Sequence, residues 1–129
     1  MPISVTGHSL SGGIATHVSL RRDGADAYVF NTSPRFSRNG PVPPNRRLSI
    51  VEFGEALKVP RIFGPEPRQT YISLNCTPGF NFFKGHKIRR LAECLTRIAA
   101  WGDMEARESL RRNRIDFPPG LRFEDPLQP

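Results

Sequence analysis

The sequence predicts an α/β protein with a mostly parallel sheet of about four strands flanked by helices. Three observations carry that expectation. Short β-prone runs recur along the chain. Long crossovers separate them instead of two-residue hairpin turns, as parallel neighbours require. The first run passes straight into a helical pattern, and two further helical stretches come late in the chain.

Residues 3–6, Ile3-Ser4-Val5-Thr6, form the first expected strand. A helix follows over residues 9–22, with Leu10, Ile14, His17, Val18 and Arg21 at helical spacings and Gly24 as a stop. Residues 27–30, Ala-Tyr-Val-Phe, form the second strand, bounded by Gly24 and the Asn31 to Pro34 turn residues. A loop over residues 33–47 contains Pro34, Gly40, Pro41, Pro43 and Pro44. Residues 48–53 form the third strand, with the imperfect alternation of a strand covered on both faces. After a proline- and glycine-punctuated stretch, residues 70–74 form the fourth. A loop bearing Phe80, Phe82 and Phe83 leads to the strongest helix, residues 86–101, striped by Ile88, Leu91, Leu95 and Ile98. Residues 103–114 read as a more polar surface helix. The expected organisation is one domain over residues 1–115 and a proline-rich extended tail over residues 116–129.

The chain of 129 residues suffices for one domain with a real core. Its 13 prolines and 11 glycines imply long irregular connections. The net charge of +7, from 19 basic and 12 acidic residues, suits anionic partners such as phospholipid headgroups or an anionic membrane surface. Cys76 and Cys94 have no metal-type spacing and read as reduced, partly buried thiols, which points to the cytoplasm. The first ten residues lack the charged start and apolar run of a signal peptide, and no apolar stretch is long enough to span a membrane. Nothing in the residue pattern calls for a metal or a cofactor.

The segment Val5-Thr6-Gly7-His8-Ser9-Leu10-Ser11-Gly12-Gly13 joins a strand to a helix. It reads as a nucleophile elbow, in which a serine stands on a sharp, strained turn with its hydroxyl clear of the sheet. Small residues two before and two after the serine, here Gly7 and Ser11, let strand and helix approach closely. The helix N-terminus behind Ser9 offers backbone N–H groups and a positive dipole end to an oxyanion, with the Leu10 N–H as one donor. His8 and His17 read as structural. The final glycine of the usual G-x-S-x-G pattern is replaced by Ser11.

The run from Thr6 to Gly13 resembles the elbow of the class 3, fungal-type lipases within the α/β-hydrolases. Tyr28-Val29-Phe30-Asn31-Thr32-Ser33-Pro34-Arg35 resembles their next strand and its Ser-Pro-Arg turn, and Val51-Glu52-Phe53-Gly54-Glu55-Ala56-Leu57-Lys58-Val59-Pro60 resembles the strand end that carries their acid. The resemblance covers roughly residues 3–101. It implies a partial α/β-hydrolase fold lacking its N-terminal strands, since a complete one needs about 200 residues or more. It also implies hydrolysis of lipid-like or small esters by a Ser-acid-His triad without cofactor. The triad runs in the chain order Ser, acid, His. Ser9 is then the nucleophile, Glu55 the acid with Glu52 as its rival, and His86, the only histidine after the elbow region, the base. The second oxyanion donor of such folds comes from a loop ahead of the elbow, and losing one donor typically costs about 2.7–4 kcal/mol in the barrier.

The first strand is expected to leave an open sheet edge, suited to self-association or to an N-terminal half of the same fold. Two readings compete: a lipase- or esterase-like hydrolase, and a catalytically inactive remnant that binds a partner along that edge. A nucleic-acid-binding domain using Arg46-Arg47, Arg89-Arg90 and Arg111-Arg112 is disfavoured, because no recognition motif accompanies these pairs and acidic residues are interspersed.

Overall fold

β-branched and aromatic residues in four short runs assemble one parallel sheet in a computed structural model, which describes residues 3–33, 41–53, 69–76 and 87–128. The strands are β1 (Ile3–His8), β2 (Ala25–Phe30), β3 (Arg47–Glu52) and β4 (Thr70–Leu74), in the spatial order β1-β2-β3-β4. Every neighbouring pair is parallel. Among the described residues three helices accompany them: α1 (Leu10–Arg21), α2 (Ile88–Ala99) and α3 (Met104–Arg112). The expected α/β class with a parallel sheet is therefore present. β1 runs two residues beyond its expected end, because His8 still pairs with Phe30. The chain divides into two compact units, residues 1–88 and 89–129.

In the first unit α1 packs on β1 and β2. Its buried face is made of Gly12, Gly13, Ala15, Thr16, Ser19 and Leu20, while the larger Leu10 and Ile14 are 59% and 58% exposed. Small side chains win the sheet-facing positions because they let the helix axis lie close to the strands. Opposite them, β2 buries alternate residues Ala25, Ala27 and Val29. Ala15, Ala27 and Val29 form the apolar centre, with Val5 packed against it. Two polar residues tie down the far end of α1. Asn45 donates to the carbonyls of Ser19 and Arg22 and accepts from the Gly24 amide. The buried Arg47 donates to the carbonyls of Ser19, Pro43 and Asn45. Burial pushes its guanidinium below the usual arginine range, with Asp26 opposing that shift.

The second unit is organised by a buried cation. Asp103 caps α3 by accepting from the amides of Glu105 and Ala106. One turn on, Arg107 is fully buried. Its guanidinium donates to the carbonyls of Ala100 at 2.7 Å, Phe123 at 3.0 Å, Trp101 and Pro126 at 3.4 Å, and also Asp125. A rigid five-donor fork suits this, since it can satisfy several fixed carbonyls at once. Ala100, Leu110 and Leu121 form the apolar core beside it, with Trp101, Ala106, Ile115 and Phe117 packed against them. The proline-rich segment beyond residue 116 thus supplies both a core residue and carbonyl acceptors, and the Gln128 amide returns to the Trp101 carbonyl at 2.8 Å.

Cys76 and Cys94 are both disulfide-bonded, so the expectation of reduced thiols is corrected, and the compartment argument built on them falls with it. No helix among the described residues is long and apolar enough to cross a membrane.

Arg107→Ala removes a buried donor set and strands several carbonyls, so it is expected to destabilise the second unit by about 2–4 kcal/mol, read as a lowered urea midpoint. Arg111→Ala, on the exposed face, is expected to leave the urea midpoint nearly unchanged. Hydrogen bonds from Arg111 and then Arg112 hold the Glu108 carboxyl down to about 2. A depressed folded-state value contributes stability above the ordinary carboxylate value and loses it as pH falls towards 2. Melting temperature followed from pH 5 to pH 2 is therefore expected to fall less steeply in Glu108→Gln than in the wild type, and less so for both in high salt.

Candidate active site

Parallel strands all end on the same side, and the carboxyl ends of β1 to β3 carry a run of polar residues. Asn31, Thr32 and Glu52 are at most 3% exposed, and Ser33 is buried beside them. Ser9 stands at the end of β1 immediately before α1.

Its backbone is the distinctive feature. Ser9 has φ 55° and ψ −122°, the conformation of the first central residue in a type II′ turn, where glycine is at ease and a residue with a Cβ is strained. Two hydrogen bonds hold it there from the β2 side. The Ser9 amide donates to the Phe30 carbonyl at 3.1 Å, and the Ser9 carbonyl accepts from the Ser33 amide at 2.9 Å. It also accepts from the Gly13 amide at 3.2 Å, closing the first turn of α1. The Ser9 side chain makes no helix-capping bond, although serine is among the best capping residues.

The tightness of the turn explains its composition. A Cβ added to Gly7 would lie 2.4 Å from the Ser11 carbonyl oxygen, and one added to Gly12 would lie 2.8 Å from Thr32 Oγ1 and 3.1 Å from the Gly7 carbonyl oxygen. Strand and helix therefore touch backbone to backbone at Gly7. Ser11, where a glycine is usual, is accommodated because its side chain faces outward. Its hydroxyl accepts from the His8 amide at 3.1 Å and donates to the His8 carbonyl at 2.8 Å. It fastens the turn rather than obstructing it. Gly12 is the position where close approach to β2 demands glycine.

The helix start supplies the electrophilic half of a site. Leu10 is the first residue of α1, so its N–H has no intrahelical acceptor, and the positive end of the helix dipole lies beside Ser9. Together, a strained serine and an N-terminal amide can present a hydroxyl to a carbonyl carbon and one hydrogen-bond donor to its oxygen. His8 is half-buried at the end of β1 and His17 half-buried on α1.

Glu52, the rival acid, is 3% exposed at the end of β3. Its Oε1 accepts from the Cys76 amide at 2.8 Å, and its own amide donates to Asn31 Oδ1 at 2.7 Å. That places its carboxylate on the end of β4, where it ties strands together. Glu55 and His86 lie outside the described residues, as do Phe80, Phe82 and Phe83. Asn31 was not singled out from the sequence. Its signal was available: asparagine just past a strand is one of the few residues that accept a left-handed backbone, and Asn31 has φ 42°. Among the described residues no group of three or more His, Cys, Asp or Glu is placed to hold a metal ion.

No family model matches the chain, and no curated protein or solved structure is detectably similar to it.

Ser9→Gly removes the strain of a positive φ and is expected to raise stability by about 1 kcal/mol, read as a higher melting temperature. Gly7→Ala sets a methyl group against fixed backbone and is expected to lower stability by about 2 kcal/mol or more. The positive φ at Ser9 is thus a position where the fold carries a Cβ at a cost in backbone strain.

Proposed function

We propose that this chain carries the nucleophile of a lipase- or esterase-like serine hydrolase in a partial α/β-hydrolase fold of the class 3 lipase kind. The observation that supports this is the strained Ser9 at φ 55° and ψ −122° between β1 and α1. In this reading Ser9 Oγ attacks the carbonyl carbon of an ester and His86 takes its proton. The Leu10 N–H stabilises the oxyanion, and collapse expels the alcohol with the proton returned by His86. Water then resolves the acyl-enzyme by the same route. Glu55 orients His86, a role assigned by chain order Ser, acid, His. Glu52 is the weaker candidate because its carboxylate already binds the Cys76 amide. The net charge of +7 suits esters presented at an anionic lipid surface.

A second reading is favoured by one observation. Among the described residues β1 pairs with β2 alone, and its other edge carries no described strand. An inactive hydrolase remnant that adds a partner strand there, from an N-terminal half of the fold or from a second copy, uses the same architecture without chemistry. In the enzymatic reading that same edge receives the element bearing the second oxyanion donor.

The deciding experiment is labelling with a fluorophosphonate probe. Rapid labelling abolished by Ser9→Ala is the expected result, with His86→Ala slowing it by about 10²–10⁴-fold. A folded wild-type chain that is no more reactive than the Ser9→Ala variant rejects the autonomous enzyme. Labelling that rises with protein concentration, alongside dimer formation, identifies edge pairing as the step that completes the site.

A further inference from the structure

Three residues after β2 do more than connect it onward. Phe30 accepts from the Ser9 amide, and Ser33 donates to the Ser9 carbonyl, so both backbone polar groups of Ser9 are held by one turn. For two positions three residues apart to reach the same residue, the chain between them must fold back sharply. Asn31 provides that reversal with φ 42°. Thr32 then sits against Gly12, filling the space a side chain there would need.

Asn31 is itself fixed from the opposite side. It is fully buried, its amide donates to the Ile50 carbonyl at 2.9 Å, and its Oδ1 accepts from the Glu52 amide at 2.7 Å. The side chain thus carries the β2–β3 ladder one step past the end of β2. The chain of contacts runs from β3 through Asn31 to the strained residue on β1.

We propose that Asn31 is a positioning residue: it holds the turn that keeps Ser9 in its strained, attack-ready backbone conformation. This rests on the reading of Ser9 as a nucleophile. Asn31 reaches no reacting atom in this role. It sets where the Ser9 hydroxyl points by fixing Phe30 and Ser33.

Two variants separate its contributions. Asn31→Gly keeps the left-handed backbone and loses the acceptor for the Glu52 amide. Asn31→Asp keeps an acceptor and tolerates the same backbone. Fluorophosphonate labelling, measured well below each melting temperature, is expected to slow about 10-fold or more in Asn31→Gly and to be largely retained in Asn31→Asp. Melting temperatures of the cycle with Ser9→Gly supply a readout that needs no chemistry. Ser9→Gly is expected to raise the melting temperature of the wild type and to raise that of Asn31→Gly by less, because a loosened turn has already relaxed Ser9. An unchanged labelling rate in Asn31→Gly, or an equal gain from Ser9→Gly in both backgrounds, overturns the proposal. If the folded wild type is not labelled at all, the hydrolase reading fails, and the melting cycle still decides whether Asn31 holds Ser9.

Discussion

The Ser9 residue is hydrogen-bonded through its amide to Phe30 and through its carbonyl to Ser33, and much of the first unit follows from that clamp. A backbone at φ 55° and ψ −122° is unfavourable for any residue with a Cβ, by about 1–3 kcal/mol, so it persists only where its surroundings over-determine it. The surroundings here are the ends of three strands. β1 delivers Ser9, β2 delivers the turn that grips it, and β3 anchors that turn through Ile50 and the Glu52 amide. β4 joins the same system, since the Phe53 amide donates to the Leu74 carbonyl at 2.6 Å and the Cys76 amide to Glu52. Open α/β sheets place their ligand sites beyond the carboxyl ends of strands. Four of this protein's buried polar residues, Asn31, Thr32, Ser33 and Glu52, lie there.

The close contact of α1 with the sheet is the second consequence. A turn of this sharpness brings strand and helix into backbone contact, which explains Gly7 and Gly12. The requirement extends along the helix as Gly13, Ala15, Thr16 and Ser19. These residues bury little apolar area each, and the first unit gains much of its order from hydrogen bonds at strand ends and from Asn45 and Arg47. The second unit solves a different problem. Its short helix and proline-rich segment contain few ladder bonds, so a single buried arginine collects the stray carbonyls.

The elements were largely legible because their signals are local. β4 falls on its expected residues, and β2 and β3 differ only at their ends. The spacing of Leu10, Ile14 and Val18 did mark a helix. Those large residues nonetheless misrepresent its buried face, because contact distance rather than hydrophobicity chose the residues against the sheet. The cysteines misled for a related reason. Spacing in sequence does not report whether a cysteine is oxidised. Ser9 was legible from its strand–Gly-x-Ser–helix context, whereas Asn31 was not, because its importance lies in reaching β3 and β1 at once. Arg107 was invisible as a core residue: an arginine on a charged helix reads as surface until the carbonyls around it are known.

The sequence by itself determined the α/β class, the strand–turn–helix around Ser9 and the small residues that permit it, since each depends on neighbours a few positions apart. Tertiary structure alone decided the strand order, the left-handed turn at Asn31, the engagement of Glu52 with the end of β4 and the burial of Arg107. Each of these joins groups about 20 residues apart or fixes an ionic side chain against backbone carbonyls. Such pairings are set by which polar groups are left without water when the elements pack, and residue order does not encode that directly.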